Sequence, residues 1–407
     1  MVYRLEISRK ILQNPYRYVN KLPFCLKISV NTDELSGFSL EEFKNYRQQL
    51  WRFIYALRRR KIFIDLSELR LQSIKHDVLL IGPETLQVNI VDRCNYRCNF
   101  CLSHSQFRGS EFSRHRRWAV PFSTVKRIVD QAFILGVNNI FLCGEGEPLL
   151  HPRIYDIISY IGNKGFKIEL ITNASIFYLA HWLEKNMPLP FELSFLINLS
   201  GVNPEKFSLI HGVEPDKFKE LLITIKKLSR NAFVVLSYLL LRDNIGDVKE
   251  YIQLASRLGV ARVKLRYPVL YEEEHKKILP SKKDEDEFMR LLPSLREYAS
   301  RYGVDLDMSD FIRNDISKMD APFRCYSGWF FAKVGMDGKM YMCCRENKPL
   351  GVIKDGNWGK IYFSSYATER ILEGKRGINL NSVEWGKCKY CFKYEHNNYI
   401  DKLVVKC

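Results

Sequence analysis

The chain has 407 residues, 46% of them apolar, and a formal net charge of +17, so two or three domains with real cores fit within it. Charges and prolines interrupt the first thirty residues, which reads against a signal peptide, and no apolar run reaches membrane-spanning length. Eleven cysteines in such a chain favour metal binding in a reducing cytoplasm over a disulfide framework.

Residues 1–83 read as a separate basic region, with fifteen Lys or Arg against eight Asp or Glu. From Leu40 to Ile64 the apolar residues Phe43, Leu50, Phe53, Ile54 and Leu57 recur with helical period, and Arg58-Arg59-Arg60-Lys61 follows. One reading is a packed helix whose C-terminal cations suit its dipole. The other is a basic amphipathic helix touching a membrane surface, such as the inner membrane face, or an anionic partner. From Thr85 strands and helices alternate, which predicts a parallel sheet. Strands are expected near Leu86, Asn139, Lys167, Glu192, Ala232 and Val263, and Pro121 to Thr124 is expected to open a helix capped by Ser123. Lys282 to Tyr302 reads as a charged connecting helix. Phe330 to Met342 reads as a hairpin turning at Asp337-Gly338. The division expected is thus a helical N-terminal region over 1–83, an α/β core over 84–280, a helical linker over 281–320 and a small α+β extension over 321–407.

Cys94-Asn-Tyr-Arg-Cys98-Asn-Phe-Cys101 places three thiols within eight residues. Thiolates so spaced can wrap one soft metal centre from a single loop. With no fourth cysteine in the loop, an iron–sulfur cube would keep one iron open to a small-molecule ligand; a zinc knuckle or three core cysteines are the other readings. Gly144-Glu-Gly-Glu-Pro148 ends the second strand of the core, at the edge of an α/β barrel where ligands bind. Its glycines permit close backbone approach, and its carboxylates can accept from an ammonium group.

The CxxxCxxC spacing after an apolar strand, followed one β/α unit later by GEGEP, resembles the radical S-adenosylmethionine (SAM) enzymes. The resemblance covers roughly Thr85 to Pro268, with GEGEP standing where the family has GGEP. It implies a partial (β/α)6 barrel and a [4Fe-4S] cluster on Cys94, Cys98 and Cys101 whose open iron binds SAM. It also implies that Phe100, Gly144, Glu145, Gly146, Glu147, Thr172, Asn173, Asn198 and Ser200 face SAM, turn capping being the other reading of the last four. Cys143, beside that motif, would be a hydrogen-atom donor or a buried small hydrophobe.

In the extension, Cys325 precedes Gly338 and Cys343, and Cys388-Lys-Tyr-Cys391 adds a pair. This resembles the SPASM and twitch extensions and implies a second [4Fe-4S] cluster on Cys325, Cys343, Cys388 and Cys391. Zinc would also suit four thiolates, and Cys344 could replace Cys343. The implied enzyme takes electrons from a flavodoxin or ferredoxin, cleaves SAM reductively and abstracts hydrogen from its substrate. The basic segment with Arg108, Arg114, His115, Arg116 and Arg117, and the surplus charge, favour a small or lipid-linked anionic substrate undergoing oxidation or epimerisation. A peptide maturase using residues 1–83 as a leader-binding region is the alternative. A metal-cluster protein binding nucleic acid is a third reading, but it leaves GEGEP and the β/α units unexplained, so no stable nucleic acid partner is expected.

Overall fold

A computed structural model describes residues 3–13, 18–19, 22–34, 38–105, 118–176, 178–267, 273–309, 323–344, 346, 348–379, 388, 391 and 394–405. The basic segment from Arg108 to Arg117, and Cys407, lie outside them.

The N-terminal region contains more than a helix. Strands β1 (Tyr3–Ile7), β2 (Cys25–Val30) and β3 (Phe63–Asp65) form a parallel three-stranded sheet in that order. The expected helix runs over Leu40–Arg59, and its start is fixed by a capping box in which Ser39 and Glu42 bond reciprocally. Its apolar residues Leu50, Phe53, Ile54 and Leu57 are buried with Ile7, Ile28 and Ile64 in a core of their own. That face is therefore spent inside the protein, as the packed-helix reading expects. Among the described residues no helix is long and apolar enough to cross a membrane.

This region is tied to the barrel by arginine side chains. Arg58 donates to Phe133 O at 3.0 Å and Asn138 Oδ1 at 2.9 Å, and the buried Arg70 to Gly136 O at 2.6 Å. Gly136 and Asn138 lie just before a barrel strand begins. The N-terminal region thus covers the rim opposite the strand carboxyl ends.

The main sheet opens with the six expected parallel strands: β4 (Thr85–Asn89), β5 (Asn139–Cys143), β6 (Lys167–Thr172), β7 (Leu193–Asn198), β8 (Phe233–Leu239) and β9 (Arg262–Arg266). It does not stop there. The helix Lys282–Arg301 leads to β10 (Asp305–Asp307), which pairs parallel with β9, so the segment expected as a linker extends the barrel sheet. At the other edge β11 (Phe331–Val334) pairs parallel with β4, and β12 (Lys339–Tyr341) and β13 (Gly351–Val352) follow antiparallel. The hairpin turns as expected, with Gly338 at φ +71°. The extension's hairpin is therefore continuous with the barrel sheet. The helix Phe122–Ile134 starts after Pro121 without a side-chain cap, which leaves Ser123 inside the first turn and corrects its expected capping role.

Strand alternation sorts the two faces. Ile140 and Leu142 are fully buried under the helices, whereas Phe141 and Cys143 between them are only half-buried. Register carries the row of Phe141 across Lys333, Gln87, Glu169 and Ser194. Glu169 on β6 feels the charges of Lys264 and Arg266 three strands away on β9, so the sheet curls into a trough.

Candidate active site

Three backbone connections hold the cysteine loop at the carboxyl rim. Ile90 N donates to Cys143 O at 3.0 Å, Gly146 N to Val91 O at 3.1 Å and Glu147 N to Arg93 O at 2.7 Å, zipping the loop after β4 to GEGEP. On its far side, Arg97 N and Asn99 N donate to the last carbonyls of the helix Pro204–His211, His211 O at 3.1 Å and Ile210 O at 2.8 Å.

The glycines are steric requirements. A Cβ on Gly146 would stand 2.0 Å from Arg93 O, and one on Gly212, at φ +62°, would stand 2.5 Å from Arg97 O. Gly146→Ala is therefore expected to destabilise the chain by about 3 kcal/mol or more, since a backbone carbonyl cannot move aside as a side chain can. Thermal unfolding and bound iron measured together check this. A melting curve and iron content like wild type would contradict it.

Two of the three sulfurs accept backbone donors, and the third lies against a histidine ring. Cys94 Sγ accepts from Tyr96 N at 3.4 Å, and Cys101 Sγ from Ser103 N at 3.4 Å and His104 N at 3.2 Å. Cys98 Sγ lies 3.3 Å from His211 Nδ1, while His211 Nε2 accepts from Ser200 N at 3.0 Å. Burial lowers His211 to about 3, so its ring is neutral. Burial also pushes the Cys94 thiol up to about 12, helped by the charges of Glu147 and Cys101, and raises Cys98 well above the ordinary thiol range. Thiols so placed deprotonate only against a cation, and the donors around them suit thiolates. A cationic iron–sulfur centre fits this donor set. Among the described residues no three Cys, His, Asp or Glu close around a point as one metal ion requires.

Several of the residues expected to face SAM also make ties within the rim. Glu147 is buried, its carboxylate accepting from Leu149 N at 3.0 Å, Thr172 Oγ1 at 2.5 Å and Asn173 N at 2.7 Å. Burial raises Glu147 to about 7 against those three donors. Glu147 and Thr172 thus fasten the end of β5 to that of β6. Ser200 is fully buried, its hydroxyl donating to Asn198 Oδ1 at 2.8 Å and accepting from Leu239 N at 3.0 Å. Asn173 steadies the cysteine loop, donating to Asn95 Oδ1 at 3.0 Å and accepting from Ser175 N at 3.0 Å. The reason is common to all: strand ends at a barrel rim leave buried backbone donors, and nearby side chains satisfy them.

Gly144, Glu145, Phe100 and Asn198 remain half-buried at the rim. Phe100 meets His211 edge-on with ring centroids 5.8 Å apart. Cys143 lies on the trough face next to Gly144, and burial pushes its thiol up to about 12, so it is protonated. A protonated thiol is the species that can give up a hydrogen atom.

The second set of cysteines also gathers. Cys325 is buried and raised well above the ordinary thiol range, first by burial and then by the charges of Cys391, Cys343 and Cys388. Of the adjacent pair, Cys343 is the one whose charge acts on both Cys325 and Glu346. Cys391 N closes a turn on Cys388 O at 3.0 Å, and Asn397 Nδ2 approaches Cys391 Sγ at 3.9 Å. Cys325 N is pinned to Gly374 O at 2.8 Å.

An open α/β barrel with a three-thiol loop locked to a glycine–acid turn at its carboxyl rim is the frame of an iron–sulfur enzyme. Residues 88–255 match the model of the Radical SAM superfamily. The chain thus carries a radical SAM domain and is a radical SAM enzyme, using a [4Fe-4S] cluster and SAM. It is 24% identical over 327 residues to a PqqA peptide cyclase of Methylorubrum extorquens (strain PA1), covering 76% of this chain and 80% of that protein. It is 30% identical over 187 residues to a probable GTP 3′,8-cyclase of Pyrobaculum aerophilum, covering 44% of this chain and 56% of that one. SuiB of Streptococcus suis, in its crystal structure bound to the precursor peptide SuiA, shares the fold at a TM-score of 0.58 and 16% identity, over 82% of this chain and 76% of that chain.

His211 was not visible as a site residue in the sequence. The signal that could have found it is its place directly before Gly212, which ends a short helix capped by Asn203.

Proposed function

We propose that this enzyme matures a peptide, with Cys94, Cys98 and Cys101 holding the SAM-binding cluster and Cys325, Cys343, Cys388 and Cys391 a second one. The observation that carries the substrate class is the length of the similarity. The match to the peptide cyclase runs over 327 residues, far beyond the radical SAM segment of 88–255, whereas the match to the nucleotide cyclase is about as long as the barrel. Similarity that extends past the shared core favours similarity in what the core acts on.

The trough supports the same reading. A cationic lining would suit the lipid-linked or small anionic substrate expected from the net charge. The trough instead mixes charges: Glu169 lies with Lys264 and Arg266, and Lys264 pairs with Asp307 at 2.8 Å. Mixed polar walls suit a peptide.

Bound at the rim, the cluster and SAM supply reductive cleavage of SAM to a 5′-deoxyadenosyl radical. The chain's own part is to position and to exclude water. GEGEP and the carbonyls of His211 and Ile210 fix the cysteine loop from two sides. Tyr96, Phe207 and His211 close a ring-lined wall beneath it. Cys143 and Glu145 stand on the trough side, next to where a substrate carbon would react.

The test is anaerobic incubation with reductant, SAM and the short peptides encoded beside the gene, followed by mass spectrometry. A peptide altered in mass, formed together with 5′-deoxyadenosine, is expected. Unaltered peptides, with consumption of a nucleotide or sugar derivative in their place, would overturn the substrate class.

A further inference from the structure

We infer that His211 is a positioning residue that tunes the first cluster, by giving a hydrogen bond from its Nδ1–H to the Cys98 sulfur. The inference rests on the reading that Cys98 is a cluster ligand.

The geometry determines which nitrogen bears the proton. Ser200 N–H points at His211 Nε2 at 3.0 Å, and a backbone amide can only donate. Nε2 must therefore offer its lone pair, and the neutral ring carries its hydrogen on Nδ1, 3.3 Å from Cys98 Sγ. The ring cannot turn away. It is 1% exposed, with Phe207, Phe100 and Tyr96 at centroid distances of 4.8, 5.8 and 6.0 Å. The same residue's carbonyl accepts from Arg97 N at 3.1 Å, so the donor and the loop that carries Cys98 move as one. A helix end, a strand end and the cysteine loop are all committed to aiming one N–H at one sulfur.

Donation to a thiolate draws electron density from the sulfur and favours the more negative, reduced state of a cluster. Removing the donor should make the cluster harder to reduce.

The measurement is the midpoint potential of the cluster whose spectrum SAM perturbs, followed by electron paramagnetic resonance during a titration with dithionite. His211→Phe keeps the ring and loses the donor. At a fixed potential its reduced-to-oxidised ratio is expected to fall about tenfold, which is 59 mV for one electron. His211→Gln, with an amide N–H in its place, is expected to recover part of the shift. In wild-type protein grown with nitrogen-15 histidine, the reduced cluster should show a hyperfine coupling to one histidine nitrogen, and this readout needs no variant. An assembled cluster with unchanged potential in His211→Phe, or no histidine coupling in wild type, would overturn the inference. Wild-type protein with no cluster at the first site would instead refute the ligand reading on which it rests.

Discussion

Cys98→Ala, assembled without oxygen, is expected to form no measurable 5′-deoxyadenosine and to carry about four fewer irons per chain than wild type. Cys98 is the middle thiol of the loop, and its sulfur is the one reached by the buried His211. Loss of an outer partner of a metal ligand typically costs about 10–100-fold in affinity or activity, so loss of the ligand itself should exceed about 100-fold. The loop itself should survive, because its position depends on backbone bonds to Val91, Arg93, His211 and Ile210 rather than on the sulfur. Unfolding should therefore change little while iron and SAM cleavage are lost. Full SAM cleavage in Cys98→Ala would remove the loop from the chemistry.

The double variant Cys388→Ala, Cys391→Ala should lose a similar amount of iron, about four per chain, with the opposite functional pattern. The first site lies at the barrel rim, and its backbone contacts with the helix Pro204–His211 and GEGEP involve, among the described residues, none of the second cysteine set. SAM cleavage to 5′-deoxyadenosine should persist, while, on the proposed reading with a peptide substrate and the second centre as electron acceptor, peptide product falls below detection. Cys325, Cys343, Cys388 and Cys391 come from segments far apart in sequence, so a metal centre shared by them is also folding energy. The melting temperature of the double variant should drop accordingly. Cys344→Ala should leave iron content intact where Cys343→Ala does not. Unchanged iron in the double variant would place the second centre elsewhere.

How far the sequence could be read depended on how strands are buried. Strands β5 to β9 sit in the middle of a parallel sheet, so each carries buried aliphatic residues, in runs or alternating with polar ones as in β6 and β9, and their positions were legible to within a residue or two. β10 has three residues, too short for a pattern, and takes its conformation from the edge strand β9; β11 was legible as a hairpin arm, but its parallel pairing with β4 was not. β1 and β2 carry Arg4, Glu6 and Lys27 among their apolar positions, which masked a sheet in a region that read as helical. In the site, motif spacing located the loop and the glycine turn, but not the direction of polar side chains. Thr172, Glu147 and Ser200 were expected to face a ligand, and their bonds to the backbone amides of Ala174, Asn173 and Leu239 came only with the structure. His211 belongs to no motif, and only the fold brings it to Cys98.

The most direct test is the metal and turnover of wild-type protein purified without oxygen: iron and sulfide per chain, then 5′-deoxyadenosine after addition of dithionite and SAM. About eight irons with matching sulfide, together with 5′-deoxyadenosine, is the expected result for two four-iron clusters. Zinc in place of iron, with SAM left whole, would contradict it.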